Sequence, residues 1–275
     1  MLKQRLLTAL FLIPLFIGIV FVLPSYLVAS LFAIVVLQAT WEWGGLINLP
    51  MRAERLLLVS GVLNVLWFGY LLSASSIAVN LLLGVAVLWW CLAAWWIRQF
   101  EAEHDIPYGR YLGRDVWAGM LTLVPAWLAL VVLHANPALG PRYVVFLLVL
   151  IWVADSGAYF IGRRFGRHKL ARLVSPGKTW EGAAGALLVS LLVAWIGVAA
   201  LDVDDGVRLQ FVVICIVTAM FSIVGDLFES LVKRRAGVKD SGTLLPGHGG
   251  VLDRIDSLTA AAPVFLFGLI LTGNT

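Results

Sequence analysis

About nine apolar stretches, each near the length of a membrane-crossing helix, follow one another along this chain, and that succession restricts the fold more than any motif does. A helix needs roughly 20 mostly apolar residues to cross the hydrocarbon core of a bilayer. Cutting the sequence at its polar and Pro/Gly-rich points leaves runs at 6–23, 26–47, 55–73, 77–97, 116–134, 142–162, 183–201, 209–229 and 257–272. Lipid cannot hydrogen-bond a bare backbone, so runs of this length are read as helices. The expected fold class is all-α: a polytopic integral membrane protein forming one integrated membrane domain. Residues 1–140 would supply N-terminal helices, and 141–275 the C-terminal helices that carry the most polar segments. Composition agrees, with 61% hydrophobic and 13% charged residues and a mean hydropathy of +0.95. A soluble domain carries roughly 45–50% apolar and about 25% charged residues, so one water-soluble core could not hide this surface. Lys3 and Arg5 before an apolar run resemble a signal peptide. The run is too long for one and no small-x-small cleavage site follows, so a retained helix is expected.

Lysines and arginines set the orientation. With the N-terminus cytoplasmic, only Arg142 and Arg208 fall on the far side, beside Asp202, Asp204 and Asp205. The expected topology is N-terminus in, C-terminus out. The long connections, 98–115, 163–182 and 230–256, then all face the cytoplasm, where a soluble charged substrate would be met. The net charge of +4 is absorbed by this orientation, and no nucleic-acid partner is expected. Cys91 and Cys215 lie in apolar runs without partner spacing and are read as small buried hydrophobes. His104, His134 and His168 fall in separate loops and are read as solvated. Glu42, intramembrane or interfacial, is open to a functional reading, although an aromatic belt explains its neighbours Trp41 and Trp43.

The densest chemistry lies in Ser230–Asp256. Lys233, Arg234, Arg235 and Lys239 form a cationic cluster past the eighth run. Pro246-Gly-His-Gly-Gly250 follows, a loop with so little side-chain bulk that its backbone can approach a phosphate and offer it N–H groups. Asp253 and Asp256 then flank Arg254. Bases, a glycine-rich turn and carboxylates at close quarters suit a polyphosphate bound with a divalent cation. A positive-inside turn would account for the basic residues equally well, but it leaves His248 and the aspartates without a task. Asp226 lies inside an apolar run, where insertion scales set a cost of about 2.5–3.5 kcal/mol for a charge, so it is read as functional. Pairing with a neighbouring cation is the structural alternative, and Ser222 and Glu229 share its helix face. Asp155, with Tyr159 one turn on, either binds a second metal or the substrate, or tethers to Arg163 or Arg164. Gly177-Lys178-Thr179 is not a P-loop, because Arg172 stands where glycine is needed and no strand precedes it. Ser175-Pro176 reads as a helix start and so as an anion site, with Lys178 adding a point charge. A capped helix entry with a snorkelling lysine is the plainer alternative.

Ser230, Lys233-Arg234, Lys239-Asp240, Gly242, Leu245-Pro246, His248-Gly249-Gly250 and Asp253-Arg254-x-Asp256 fill a long pattern. It is the diagnostic pattern of the phosphatidate cytidylyltransferases, and the chain resembles the bacterial members of that family. Residues 155–160 and 175–182 resemble further family blocks, although the second often carries a lysine where Gly177 stands. The resemblance covers 150–260, and the earlier spans match in character only. It implies that CTP and phosphatidic acid give CDP-diacylglycerol and pyrophosphate, in phospholipid biosynthesis at a bacterial inner (plasma) membrane. It also implies Mg2+, with room for a second cation such as K+, an active site facing the cytoplasm, and compatibility with a homodimer. On that reading the candidate catalytic residues are Asp226, Lys233, Asp253 and His248, with Asp226 and Asp253 as metal ligands. Candidate substrate-binding residues are Asp155, Ser175, Lys178, Arg234, Lys239, Gly249, Gly250 and Arg254. Lys233, Arg234 and Lys239 would take the pyrophosphate end, and Lys178 with Arg167 would steer a phosphate. Two other functions stand beside this one. One is a CTP-dependent enzyme acting on another lipid phosphate or a polyprenol. The other is an ion-coupled transporter with Asp155 and Asp226 as its relay, which has no need of a phosphate-type site.

Overall fold

The computed structural model describes residues 14–103, 112–244 and 249–273. Residues 14–22 are helical (α1). They are followed by α2 (Ser25–Leu46), α3 (Arg52–Leu72), α4 (Ser76–Glu103), α5 (Leu112–Ala135) and α6 (Gly140–Phe165). An antiparallel hairpin of β1 (Lys169–Ala171) and β2 (Ser175–Thr179) leads into α7 (Trp180–Ala200). A short 3-10 turn, α8 (Arg208–Ala236) and α9 (Leu252–Leu271) complete the chain. Among the described residues eight helices are long and apolar enough to cross a membrane. The first expected span, 6–23, lies inside the described residues only from residue 14 onward.

Local chemistry explains where the helices break. Pro24 is extended and stands as the N-cap of α2, and Pro141 enters the first turn of α6, where an N–H would find no helical partner anyway. Gly237 ends α8 at φ +72, its N–H bonding back into the last turn, a conformation that penalises any residue with a Cβ. The outward faces of α3 and α4 expose Leu57, Trp67, Phe68, Ile77, Leu81 and Leu88. Large apolar side chains exposed in such number belong against acyl chains rather than water. Inside, Phe228 of α8 stacks on Trp43 and meets Trp89 and Trp90 edge-on. This aromatic knot ties α2 and α4 to α8.

Several local expectations change. Helix α8 continues through Lys233, Arg234 and Arg235, and α9 already begins at Leu252. The expected polar loop 230–256 therefore shrinks to 237–251. Cations in a last turn and Asp253 in a first turn complement the helix dipoles, which lets both helices run on. Ser175-Pro176 does not start a helix but lies in β2. Thr179 is the N-cap of α7 instead, its Oγ1 accepting from the Gly182 N–H at 3.1 Å. Pro176 is tolerated there because a two-stranded hairpin consists entirely of edges. His134 is not solvated. It is buried at the end of α5, with Nε2 2.8 Å from the Val20 carbonyl oxygen and Nδ1 3.0 Å from Ser25 Oγ. Trp43 is core rather than belt, and its Nε1–H donates to the Asp115 carbonyl at 3.0 Å. Cys215 is buried as expected, but Cys91 is exposed on α4. His104 and His248 lie outside the described residues.

Candidate active site

The polar residues that lipid makes costly converge on one cavity of about 630 Å³, within the range of small-molecule sites. Helix α6 contributes Asp155, Tyr159 and Arg163, and the hairpin contributes Ser175, Gly177 and Lys178. Asp226 comes from α8, and Asp253, Asp256 and Ser257 come from the start of α9. Helices α8 and α9 meet closely at Gly225, where a Cβ would overlap the Asp256 carbonyl. That bare contact seats Asp226 and Asp256 in the same wall.

Two lysine–carboxylate pairs bridge the elements. Lys178 Nζ of the hairpin lies 2.6 Å from Asp226 Oδ2 of α8, and Ser230 Oγ donates to Asp226 Oδ1 at 3.4 Å. Lys233 Nζ of α8 lies 2.6 Å from Asp253 Oδ1 of α9 and 3.3 Å from Glu229 Oε2. The second oxygen of Asp253, Oδ2, accepts from Gly250 N–H at 2.8 Å, Ser241 N–H at 2.9 Å and Ser241 Oγ at 3.0 Å. Asp253 is thereby fixed from four directions.

The hairpin has few apolar side chains of its own and is held from outside. Glu101, near the end of α4, accepts from the backbone N–H groups of Arg172, Leu173 and Val174 at 2.7–2.8 Å. A helix of 28 residues spans about 42 Å, longer than the roughly 30 Å hydrocarbon core, which leaves its end at Glu101 free to meet the polar turn. Arg234 Nε donates to the Val174 carbonyl at 3.3 Å. At the other end Glu181 accepts from Arg167 N–H at 3.1 Å and from His168 Nδ1 at 2.7 Å. Glu101 and Arg234 thus hold the hairpin turn, and Glu181 holds the chain entering it through the Arg167 backbone and His168.

Of the residues proposed from sequence, the cavity unites Asp155, Ser175, Lys178, Asp226 and Asp253. Lys233 stands behind Asp253 and does not line it. Arg254 lines a smaller apolar cleft of about 230 Å³ between α2, α5, α6 and α9. Lys239 is exposed outside the lining. Gly249, at φ +83, has no Cβ to press on the Asp253 carboxylate, and the Gly250 N–H is taken by that carboxylate. Arg163 donates to Tyr159 Oη at 2.9 Å. Glu42, Glu101 and Ser241 join the candidate set from the structure, and Asp256, already part of the sequence pattern, lines the cavity. The only sequence signal for Glu42 was its charge within an apolar run.

Carboxylates outnumber cations around the cavity. Asp155, Asp226, Asp253 and Asp256 line it against Lys178 and Arg163. Among the described residues no three carboxylate, histidine or cysteine side chains come close enough to hold a metal ion by themselves. The carboxylates that line the cavity are oxygen donors of the kind a hard cation such as Mg2+ takes one or two at a time, beside substrate phosphates.

Fold and site define a class: a polytopic helical membrane protein with an acidic, lysine-bearing cavity between its helices and the hairpin. The profile of the Cytidylyltransferase family matches residues 3–271, and the chain belongs to that family. A Pseudomonas aeruginosa protein named phosphatidate cytidylyltransferase is 42% identical over 265 residues, 96% of each chain. A Haemophilus influenzae protein of the same name is 38% identical over 283 residues, covering 97% of this chain and 98% of that one. A Staphylococcus epidermidis protein, again so named, is 46% identical over 133 residues, 48% of this chain and 51% of its own.

Proposed function

We propose that this protein transfers the cytidylyl group of CTP to phosphatidic acid, giving CDP-diacylglycerol and pyrophosphate. The observation that carries this reading is the single cavity in which Lys178 and four aspartates from α6, α8 and α9 meet beside the hairpin. The names of the two relatives matched over nearly the whole chain support it. An oxygen of the lipid phosphate attacks the α-phosphorus of CTP. The bond from that phosphorus to the bridging oxygen breaks, and pyrophosphate leaves with the electron pair. A phosphate monoester has its second pKa near about 6, so the nucleophile is already ionised at neutral pH and needs no general base. The work of the site is positioning and charge neutralisation.

Asp226 and Asp253 would hold Mg2+, with Asp155 and Asp256 in reach of a second cation. When bound, the metal supplies Lewis-acid neutralisation of the phosphate oxygens. Lys178 binds a phosphate as a point charge once substrate draws it from Asp226. Lys233 stays with Asp253 and Glu229, keeping that corner of the site fixed. The apolar faces around the spans let the lipid enter sideways while CTP arrives from water.

The direct test is purified protein with labelled CTP, phosphatidic acid and Mg2+, in which labelled CDP-lipid is the expected product. Its absence, with a polyprenyl phosphate serving instead, would transfer the reading to another lipid phosphate. The basic connections support an orientation with the site on the cytoplasmic side of a bacterial plasma membrane and the C-terminus outside. A reporter fused after Thr275 is expected to be active only outside the cytoplasm, and a cytoplasmic signal would overturn that orientation.

A further inference from the structure

Glu42 of α2 is a buried carboxylate, 5% exposed, and among the described residues its four hydrogen-bond partners are neutral donors. Its Oε1 accepts from Gln38 Nε2 at 3.1 Å and from the Val251 N–H at 3.0 Å. Its Oε2 accepts from the Leu252 N–H at 2.8 Å and from Ser241 Oγ at 3.1 Å. Val251 is the N-cap residue of α9, and its own side chain makes no capping bond. The cap comes instead from Glu42, 209 positions earlier in the chain. A carboxylate at a helix N-terminus satisfies orphan N–H groups and meets the positive end of the dipole.

The next residue of that first turn is Asp253, and the two carboxylates share a donor. Ser241 Oγ lies 3.1 Å from Glu42 Oε2 and 3.0 Å from Asp253 Oδ2, so one hydroxyl proton serves both. Gly250 lies between them. Its N–H bonds Asp253, and a Cβ there would overlap both Glu42 and Ser241 Oγ. A Cβ at Gly242 would likewise press on the Glu42 carboxylate. Glu42 itself does not line the cavity. Its contacts end on the backbone and hydroxyl that aim Asp253.

We propose that Glu42 is a positioning residue for Asp253. It caps α9 from the N-terminal half of the chain and holds Ser241 and Gly250 where they fix the Asp253 carboxylate. This rests on the reading of Asp253 as a ligand for the reaction's divalent cation. Outer partners of a metal ligand typically matter 10–100-fold in affinity or activity. In Glu42→Ala, kcat is therefore expected to fall about 10–100-fold. The KM for phosphatidic acid should stay within about twofold, because Glu42 does not line the cavity assigned to the substrates. Mn2+ binding to the resting protein, followed by electron paramagnetic resonance without CTP or lipid, should weaken by about 10–100-fold. Glu42→Gln keeps the shape and one acceptor oxygen but turns an amide against donors. It should fall between wild type and Glu42→Ala, and it decides the matter if the alanine variant does not fold. Combining Glu42→Gln with Ser241→Ala should cost less than the product of the single losses, since both act through one hydroxyl. If Glu42→Gln lowers only the yield of folded protein, while the folded fraction keeps wild-type kcat and Mn2+ affinity, Glu42 is structural and the proposal fails. If wild type makes no CDP-lipid yet the variants weaken Mn2+ binding, the positioning role stands and the reaction assignment falls.

Discussion

Asp226→Asn is expected to remove at least about a thousandfold of kcat/KM, near 4 kcal/mol of transition-state stabilisation, while leaving the protein folded. Both parts follow from its surroundings. The Asp226 side chain is 31% exposed and its partner Lys178 25% exposed, and a pair so open to solvent contributes only about 0–1 kcal/mol to stability. A shift of that size moves the melting temperature of a chain this long by no more than about 4 °C. The reaction loses far more, because the carboxylate faces a cavity where phosphate charge must be neutralised. Asp253→Asn provides the contrast. Its side chain is 8% exposed, with Lys233 on one oxygen and three donors on the other. An amide there sets a donor against donors and leaves Lys233 with Glu229 alone. Breaking a buried pair from one side costs about 3–5 kcal/mol, so this variant should lose activity and stability together. Labelled-CTP turnover and a thermal melt of both purified variants check the pair. An Asp226→Asn enzyme keeping more than about a tenth of wild-type turnover, a deficit under 1.4 kcal/mol, would remove Asp226 from the reaction.

What could be read from sequence follows from where lipid raises the stakes. Asp155, Asp226 and Asp253 stand out because an ionised group in or beside an apolar run demands a reason, and the structure sets all three around one cavity. The spans are legible for the same cause, since backbone in lipid has few alternatives. The hairpin was not. Lys-Leu-Ala and Ser-Pro-Gly-Lys-Thr carry no alternating or β-branched pattern, and their pairing depends on Glu101 from another helix. Glu42 escaped for a related reason. Two of its partners are backbone N–H groups about two hundred positions away, and no local spacing reports such a contact. The flanking tryptophans pointed to an interface, whereas Trp43 is buried against Phe228. Carboxylate-to-backbone clamps between distant helices position this site, and they are what a one-dimensional reading misses.

Lys178→Ala is expected to lower kcat/KM by about a hundredfold, near 3 kcal/mol, and at the same time to tighten divalent-cation binding. The two effects have opposite signs because Lys178 does two things. Before substrate arrives its ammonium sits 2.6 Å from Asp226 Oδ2, occupying an oxygen that a cation would otherwise use. Without the lysine, the formally acidic lining gains one net negative charge. Mn2+ affinity of the resting enzyme should then rise, by a factor of about 5 if the half-open pair is worth near 1 kcal/mol. With CTP and lipid phosphate present, the lost ammonium leaves phosphate charge less well offset, and turnover falls. Lys178→Arg keeps the charge but carries a planar fork on a different stem, so it should restore most of the resting cation affinity to the wild-type level and little of the rate. Glu42→Ala weakens cation binding and Lys178→Ala strengthens it, although both slow the reaction. A Lys178→Ala enzyme that lost affinity for Mn2+ along with turnover would mean that the lysine braces the aspartates, and its role as a mobile phosphate ligand would be withdrawn.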